Sequence, residues 1–136
     1  MTTIVVGYVP TPEGEAALDR AIAEAQLREA TLIIATSQRG GRTADYEDLA
    51  LTDQQVSGLR ARMSQAGIKH DVRGLVRGND PADDIVGVAE EADADLIVIG
   101  IRRRSPVGKL IMGSNAQRIL LDAECAVLAV KKPRDD

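Results

Sequence analysis

The sequence predicts a doubly wound α/β fold, in which helices cover both faces of a five-stranded parallel sheet. Five short apolar runs recur along the 136 residues, and a segment with helical spacing separates each run from the next. Four of the runs are almost entirely Val, Ile, Leu and Ala, which is typical of strands buried on both faces. Strict alternation of strand and helix favours right-handed crossovers, and we expect the strand order 3-2-1-4-5.

The apolar runs define the predicted strands. The third run carries more charged residues than the others, so we expect it at an edge of the sheet. Residues 37–51 show no periodicity and are predicted to form a long connection. The predicted strands are residues 3–9, 31–37, 68–76, 95–101 and 126–131.

The four predicted helices begin at capping signals. Two start with a capping residue followed by proline, and two start with a capping box. The first signal occurs at Thr11-Pro12 and Asp80-Pro81, and the second at Thr52 with Gln55 and at Ser114 with Gln117. The apolar residues that follow at helical spacing are Leu18, Ala21, Ile22 and Ala25, then Val56, Leu59, Met63 and Ala66, then Ile85, Val86 and Ala89, and finally Ala116, Ile119 and Leu120. Gly67 is expected just beyond the second helix.

The composition argues against several functional classes. A formal net charge of −4 at pH 7 does not suit a general nucleic-acid binder, which usually carries a basic excess. The chain has two tyrosines and no Phe or Trp, so it lacks the aromatic platforms on which single-stranded bases stack. With one cysteine, Cys125, no intramolecular disulfide can form.

The length and hydropathy predict a single cytoplasmic domain over residues 1–136. The first residues, MTTIVVGYV, lack the basic segment and long apolar run of a signal peptide. No stretch approaches the roughly 20 apolar residues that cross a membrane. The length fits one compact domain, and neither a repeat nor a linker divides it.

Topology alone predicts where a ligand would bind. In an open α/β sheet, ligands bind beyond the carboxyl ends of the strands, where the strand order reverses. If strands 1 and 4 are central neighbours, residues 9–11 and 100–114 meet at that point. The second segment reads GIRRRSPVGKLIMGS and leads into the fourth predicted helix.

The glycines of this segment do not form a Walker A motif. Arg103 stands where the first glycine of that motif should be, and Leu110 follows Gly108-Lys109 in place of Ser or Thr. A second feature is Gly113-Ser114 at a helix start, where free N–H groups attract anions. Two interpretations stay open: these two residues bind an anion, or they only allow the turn and cap the helix.

The sequence resembles the universal stress protein family over essentially its whole length. The resemblance rests on IVVGYVPTPEGEAALDRA near the start, VRGNDPADDIVGVAEEADADLIVIG in the middle, and SPVGKLIMGSNAQRILLDAECAVLAVK near the end. Nucleotide-binding members of that family carry a glycine, two residues, a glycine, nine residues, and then Gly-Ser or Gly-Thr. Gly100, Gly113 and Ser114 match this pattern at the same spacing. The resemblance implies a Rossmann-like, adenine nucleotide alpha-hydrolase-like fold and an adenine-nucleotide site.

Two positions depart from the family pattern. Arg103 replaces the middle glycine, which in the family lets the loop backbone approach the phosphates. Val9 stands where the family usually has an aspartate that helps to hold the adenosine, and the turn here reads Val9-Pro10-Thr11. Because valine cannot accept a hydrogen bond through its side chain, these departures weigh against binding of intact ATP.

The loop is nevertheless strongly basic. It contains three arginines and a lysine within eight residues, and arginine forks bind phosphate oxygens well. Arg103 is predicted to point toward the site, whereas Arg102 and Arg104 are interpreted as solvent-exposed. The predicted nucleotide or phosphate site comprises Val9, Thr11, Gly100, Arg103, Gly113, Ser114 and Asn115.

The sequence offers no combination of side chains typical of catalysis or metal binding. His70, the only histidine, lies in the charged third strand and is interpreted as a surface residue. Cys125 begins the last strand, where a small buried thiol is the simplest interpretation. No paired acid and base converge on the predicted site, so we expect no enzyme, no catalytic residue and no metal.

The fifth strand predicts how the chain assembles. It is an apolar edge without inward charges, and such an edge invites pairing with another chain. The family resemblance also implies dimers joined through this strand. We therefore expect a homodimer whose interface includes Ala126, Val127, Leu128, Ala129 and Val130.

Three functions are consistent with the sequence. The first is a non-enzymatic stress-response protein whose loop binds nucleotide or phosphate weakly or not at all. The second is a competent binder of ATP, AMP or cyclic AMP with at most slow ATPase activity. The third is an interaction module that acts through its dimer surface and residues 38–50. Neither a nucleic acid nor a membrane is expected as a partner.

Overall fold

The computed structural model describes residues 2–36, 51–75, 80–102 and 114–132. Within these ranges, strands and helices alternate along the chain without exception. The strands are β1 (Thr3–Gly7), β2 (Thr31–Thr36), β3 (His70–Gly74), β4 (Leu96–Ile101) and β5 (Ala126–Lys131). The helices are α1 (Pro12–Arg28), α2 (Asp53–Gln65), α3 (Pro81–Glu91) and α4 (Ser114–Asp122).

The strands form one parallel sheet in the order β3-β2-β1-β4-β5, which confirms the predicted topology. β1 lies between β2 and β4, so the strand order reverses beside β1. The register places Gly7 opposite Ala35 on one side and opposite Ile99 on the other. The carboxyl ends of β1 and β4 therefore meet at the switch point, as the sequence predicts.

Two predicted strands, the first and the third, extend at least two residues too far, and the fourth begins one residue too early. β1 stops at Gly7 because the next two residues enter the turn that precedes α1. β3 starts at His70, since Ile68 closes α2 instead of pairing in the sheet. The amide of Ile68 donates a hydrogen bond to the carbonyl of Met63 at 3.0 Å, and the Ile68 side chain is buried in the core.

The capping signals act as predicted at three of the four helices. Thr11 and Asp80 cap α1 and α3, and each is followed by proline. Thr52 and Gln55 form both hydrogen bonds of a capping box on α2. Gly67 follows α2 with a φ of 71°, in the left-handed region expected of that position. The capping box of α4 stays a prediction, because the side chain of Ser114 lies outside the described residues.

Two apolar layers cover the sheet. Helices α1 and α2 pack on one face, and α3 and α4 pack on the other, so apolar residues of alternating strand positions enter different layers. Leu51, at the end of the predicted long connection, is buried in the first layer. On α4, Ala116 and Ile119 are buried, but Leu120 is 42% exposed. The prediction that Leu120 faces the core is therefore wrong, since only one stripe of this short helix packs against the sheet.

The first turn of α1 lies in backbone contact with both strands of the switch point. A Cβ atom built on Gly14 would overlap the carbonyl oxygen of Val9, just beyond β1. A Cβ atom built on Gly100 would overlap the carbonyl oxygen of Glu13. Only glycine fits at these two positions, because any side chain would push the helix away from the strand ends.

We expect Gly100→Ala to lower the free energy of unfolding by about 2 kcal/mol or more, because the added methyl group overlaps the backbone of α1. Urea unfolding measures the change. The matched control is Gly87→Ala in α3, where a Cβ meets nothing within 4 Å. This control should raise stability by up to about 1 kcal/mol through its higher helix propensity. Equal effects of the two substitutions would contradict the close contact.

Candidate functional site

The turn between β1 and α1 forms one wall of the switch point. The carbonyl of Val9 accepts a hydrogen bond from the amide of Thr11 at 2.8 Å, which folds the chain tightly around Pro10. The Thr11 hydroxyl accepts from the amide of Gly14 at 3.1 Å and so caps the helix. Thr11 is therefore occupied as a helix cap, and its side chain has a structural role at this wall.

Hydrogen bonds to the end of β2 hold this turn in place. Thr36 is fully buried, and its hydroxyl donates to the carbonyl of Tyr8 at 2.9 Å. The amide of Tyr8 donates to the carbonyl of Ala35 at 2.9 Å. These two bonds continue the attachment of β1 to β2 for one residue after the strand ends. Val9 is therefore held between Tyr8, which is bound to β2, and Thr11, whose amide binds the Val9 carbonyl.

The end of β4 forms the opposite wall. Gly100 abuts the backbone of Glu13, and Arg102 is the last described residue before the basic loop. The Nε atom of Arg102 lies 3.8 Å from Oε1 of Glu13. The Glu13 side chain is 15% exposed and that of Arg102 is 64% exposed. This ion pair joins the start of α1 to the base of the loop.

Helix α4 follows the loop, and ion pairs hold it against α3. Arg118 lies 3.2 Å from Oδ2 of Asp80 and 3.1 Å from Oδ1 of Asp83, at the first turn of α3. Asp80 also accepts from the amide of Ala82 at 2.8 Å, so one carboxylate caps α3 and binds α4. These contacts fix the direction of α4, whose amino end follows the carboxyl end of β4.

The structure brings together three of the seven predicted site residues, Val9, Thr11 and Gly100, through their contacts with the first turn of α1. Asn115 is exposed in the first turn of α4. Arg103, Gly113 and the side chain of Ser114 lie outside the described residues, as do residues 38–50. Their roles stay predictions.

A polar cluster between α1 and α2 was not predicted from the sequence. The buried Tyr8 hydroxyl donates to Oε2 of Glu15, and Oε1 of Glu15 lies 3.3 Å from Nη1 of Arg62. Arg62 also pairs with Asp19, one turn further along α1. The cluster adjoins a cavity of about 240 Å³ that is lined by Tyr8, Leu51 and residues of α2. No local pattern signals the cluster, because its members come from separate elements.

Burial raises the pKa of Tyr8 well above its usual value, and the hydrogen bond and charge of Glu15 raise the pKa further. The phenol therefore keeps its proton throughout the neutral range and acts as a hydrogen-bond donor. Its donation orders the Glu15 carboxylate beside Arg62. The result is a fixed contact between the turn after β1 and both helices of this face.

The remaining candidate residues show no catalytic arrangement in the part of the chain that the structure describes. His70 Nδ1 lies 2.9 Å from the carbonyl of Ile68, a local contact on the edge strand. Cys125 is partly rather than fully buried, and this burial raises the pKa of its thiol. No group of three or more His, Cys, Asp or Glu side chains could hold a metal ion among the described residues.

β5 is an edge of the sheet, because it pairs with β4 alone among the described strands. Its central residues are partly exposed, and Leu121 of the preceding helix is 83% exposed. No described helix combines the length and the hydropathy that a membrane crossing needs.

A doubly wound sheet with a glycine-lined switch point defines a class of α/β proteins, and comparison with known proteins identifies the family. Residues 1–131 match the model of the universal stress protein family, and the chain belongs to that family. This confirms the resemblance inferred from the sequence. It also accounts for the fold, since related solved structures have the same adenine nucleotide alpha-hydrolase-like architecture.

Three relatives illustrate the match. A universal stress protein of Mycolicibacterium smegmatis is 38% identical over 128 residues, which cover 94% of this chain and 96% of the relative. A solved universal stress protein of Archaeoglobus fulgidus is 38% identical with a TM-score of 0.78, over 96% of this chain and 99% of that one. A universal stress protein of the same organism in complex with dAMP is 31% identical with a TM-score of 0.63, over 96% and 98% of the two chains.

We expect Tyr8→Phe to lower the free energy of unfolding at pH 8 by about 1 kcal/mol, because the Glu15 carboxylate loses a buried donor. The raised pKa of Tyr8 adds a pH dependence. The folded state holds the phenolic proton more tightly than the unfolded chain, so this stabilisation is complete below the unfolded pKa of about 10 and declines above it.

Urea unfolding at pH 8 and pH 10.5 measures both effects. Wild type should lose more stability between the two pH values than Tyr8→Phe, and Tyr46→Phe serves as the control that retains Tyr8. If Tyr8→Phe and wild type lose the same amount of stability, the hydrogen bond to Glu15 does not hold the proton as inferred.

Proposed function

We propose that this chain is a non-enzymatic stress-response protein whose switch point binds phosphate or an adenine nucleotide weakly. We further propose that residues 1–136 act as one universal stress protein domain in the cytoplasm. Membership of the family and the preserved switch-point architecture support this function. The spacing of Gly100 to Gly113 and Ser114 supports a site for an anion at the start of α4.

The observation that carries the proposal is the position of Val9. It lies at the carboxyl end of β1, fixed by the Thr36 and Thr11 contacts, where the family pattern has an adenosine-binding aspartate. Its side chain offers no hydrogen-bonding atom to a ribose. A ligand held only by its phosphate would lose that contact, and one hydrogen bond to a charged group is worth about 1.5–3 kcal/mol. This favours weak binding over competent ATP binding.

The class of ligand is supported by the dAMP complex of a relative that is 31% identical to this chain. An adenine nucleotide therefore remains the second candidate ligand, and phosphate alone is the first. The two share the phosphate group, which Gly100 and the start of α4 would face in either case. The ligand chemistry that we propose is accordingly a phosphate, with or without an adenosine.

The absence of enzymatic activity is part of the proposal. At the switch point, the charged side chains that the structure describes are Glu13 and Arg102, and these pair with each other. This pair offers no activated nucleophile beside a general base. A bound phosphoryl group would thus be held without a residue positioned to transfer it, within the described part of the site.

The direct experiment is to purify the protein, denature it and search for released adenine nucleotide by mass spectrometry. Calorimetric titration with ATP, AMP, cyclic AMP and inorganic phosphate then gives the affinities. We expect no retained ATP and weak binding of AMP and phosphate. Retained ATP with micromolar affinity would support a competent nucleotide binder instead, and binding of none of these ligands would favour the interaction module.

Val9→Asp should raise the affinity for AMP about tenfold, because it restores a hydrogen-bond acceptor worth at least about 1.4 kcal/mol. Affinity for inorganic phosphate should not rise, since phosphate has no ribose to bind. Calorimetry with both ligands separates the two effects. Val9→Leu is the matched control, and an equal AMP affinity of the two variants would contradict the role given to position 9.

We also propose that two copies associate through β5. The outer edge of this apolar strand pairs with no other described strand, and its exposed Ala126 and partly exposed Val127 to Val130 support such an interface. Light scattering after size exclusion should give twice the mass of one chain at micromolar concentration. If the dimer is obligate, the urea midpoint rises with protein concentration. A single-chain mass over that range would refute the dimer.

A further inference from the structure

The side chain of Glu13 is a mostly buried carboxylate near the predicted ligand site. It belongs to the first turn of α1, beside the strand that enters the proposed phosphate loop, and is only 15% exposed. Its backbone abuts Gly100, so neither the helix turn nor the strand end can shift without losing this contact. Glu13 therefore places a mostly buried negative charge at the edge of a site proposed to bind anions.

Arg102 neutralises this charge incompletely. Its Nε atom is 3.8 Å from Oε1 of Glu13, which is an ion pair but exceeds hydrogen-bond distance. Strong guanidinium–carboxylate contacts are shorter, about 2.7–2.9 Å, and often use two N–H groups. The guanidinium is 64% exposed, so an incoming phosphate can approach it from the solvent side.

We infer that Glu13 is the internal competitor for Arg102 and sets the affinity of the switch point for phosphate. Arg102 is solvent-exposed, as the sequence predicts, and it is also the described cation that a phosphate group would contact. Glu13 attracts the same guanidinium and repels the incoming anion. This inference rests on the proposed function, because it names two residues that tune the same site.

The physical argument lies in the different strengths of the two contacts. A phosphate offers several oxygens to the planar guanidinium and can accept two parallel N–H bonds, whereas the described contact between Glu13 and Arg102 contains no hydrogen bond. Phosphate can therefore displace the weak internal pair, but it must do so against the nearby carboxylate. Removing the Glu13 charge leaves Arg102 in place and removes the repulsion.

Glu13→Gln tests this inference with little change of shape. We expect its affinity for inorganic phosphate and for AMP to rise about fivefold over wild type, the scale of one partly screened charge interaction. The matched control is Glu24→Gln, which removes the same charge from the same helix. Glu24 pairs with Arg28 at 3.1 Å, about 16 Å further along the helix axis.

Arg102→Gln completes the experiment, and its high exposure makes it a mild substitution for the fold. It should weaken phosphate binding in wild type and cancel the gain in the double variant with Glu13→Gln. Calorimetry of all five proteins with inorganic phosphate and with AMP, at one fixed ionic strength, gives the affinities. A gain that persists without Arg102 would overturn the competition between the two residues.

The outcomes separate this inference from the proposed function. If wild type binds phosphate but Glu13→Gln binds it no more tightly than Glu24→Gln does, the role given to Glu13 is wrong. The proposed anion site at the switch point is then retained. If none of the proteins binds phosphate or AMP, the proposed anion site fails and this inference fails with it. If Glu13→Gln does not fold, an unchanged affinity of Arg102→Gln still overturns the role of Arg102.

Discussion

The first turn of α1 packs between the carboxyl ends of β1 and β4, and the geometry of the switch point depends on this contact. Gly14 lets the turn close over the Val9 carbonyl, and Gly100 lets β4 run against the Glu13 carbonyl. Both contacts join backbone to backbone, so side-chain motion cannot relieve an added methyl group. The helix thus fixes the spacing of the two walls between which a ligand would lie.

The same contact determines the charges at the site. Because Glu13 is held against Gly100, its carboxylate stands beside Arg102 at the base of the basic loop. The opposite wall presents Val9, which has no polar side-chain atom. Under the proposed function, a ligand at this switch point would meet a partly neutralised cation and a residue without a polar side-chain atom. We therefore expect it to engage the phosphate part of a nucleotide more than the adenosine part.

Local sequence signals predicted most of the fold. Thr11, Asp80 and the Thr52–Gln55 pair act within three residues of their own position, so the helix starts could be read directly. Contacts between residues far apart in the sequence could not be predicted in this way. Glu13–Arg102 joins residues that are adjacent only because β1 and β4 are neighbours in the sheet. Gly14 did carry a signal, since a glycine in the first turn of a helix reduces helix propensity and so points to a close contact.

The most direct measurement is an amide chemical-shift titration of the isotope-labelled protein with AMP. We expect the signals of Gly100, Arg102 and Asn115 to shift together with increasing AMP, because all three flank the switch point. The signal of Gly67, at the opposite end of the sheet, should stay in place. Shifts centred on Gly67, or no shift at Gly100 and Arg102 when AMP binds, would contradict a ligand site at the switch point.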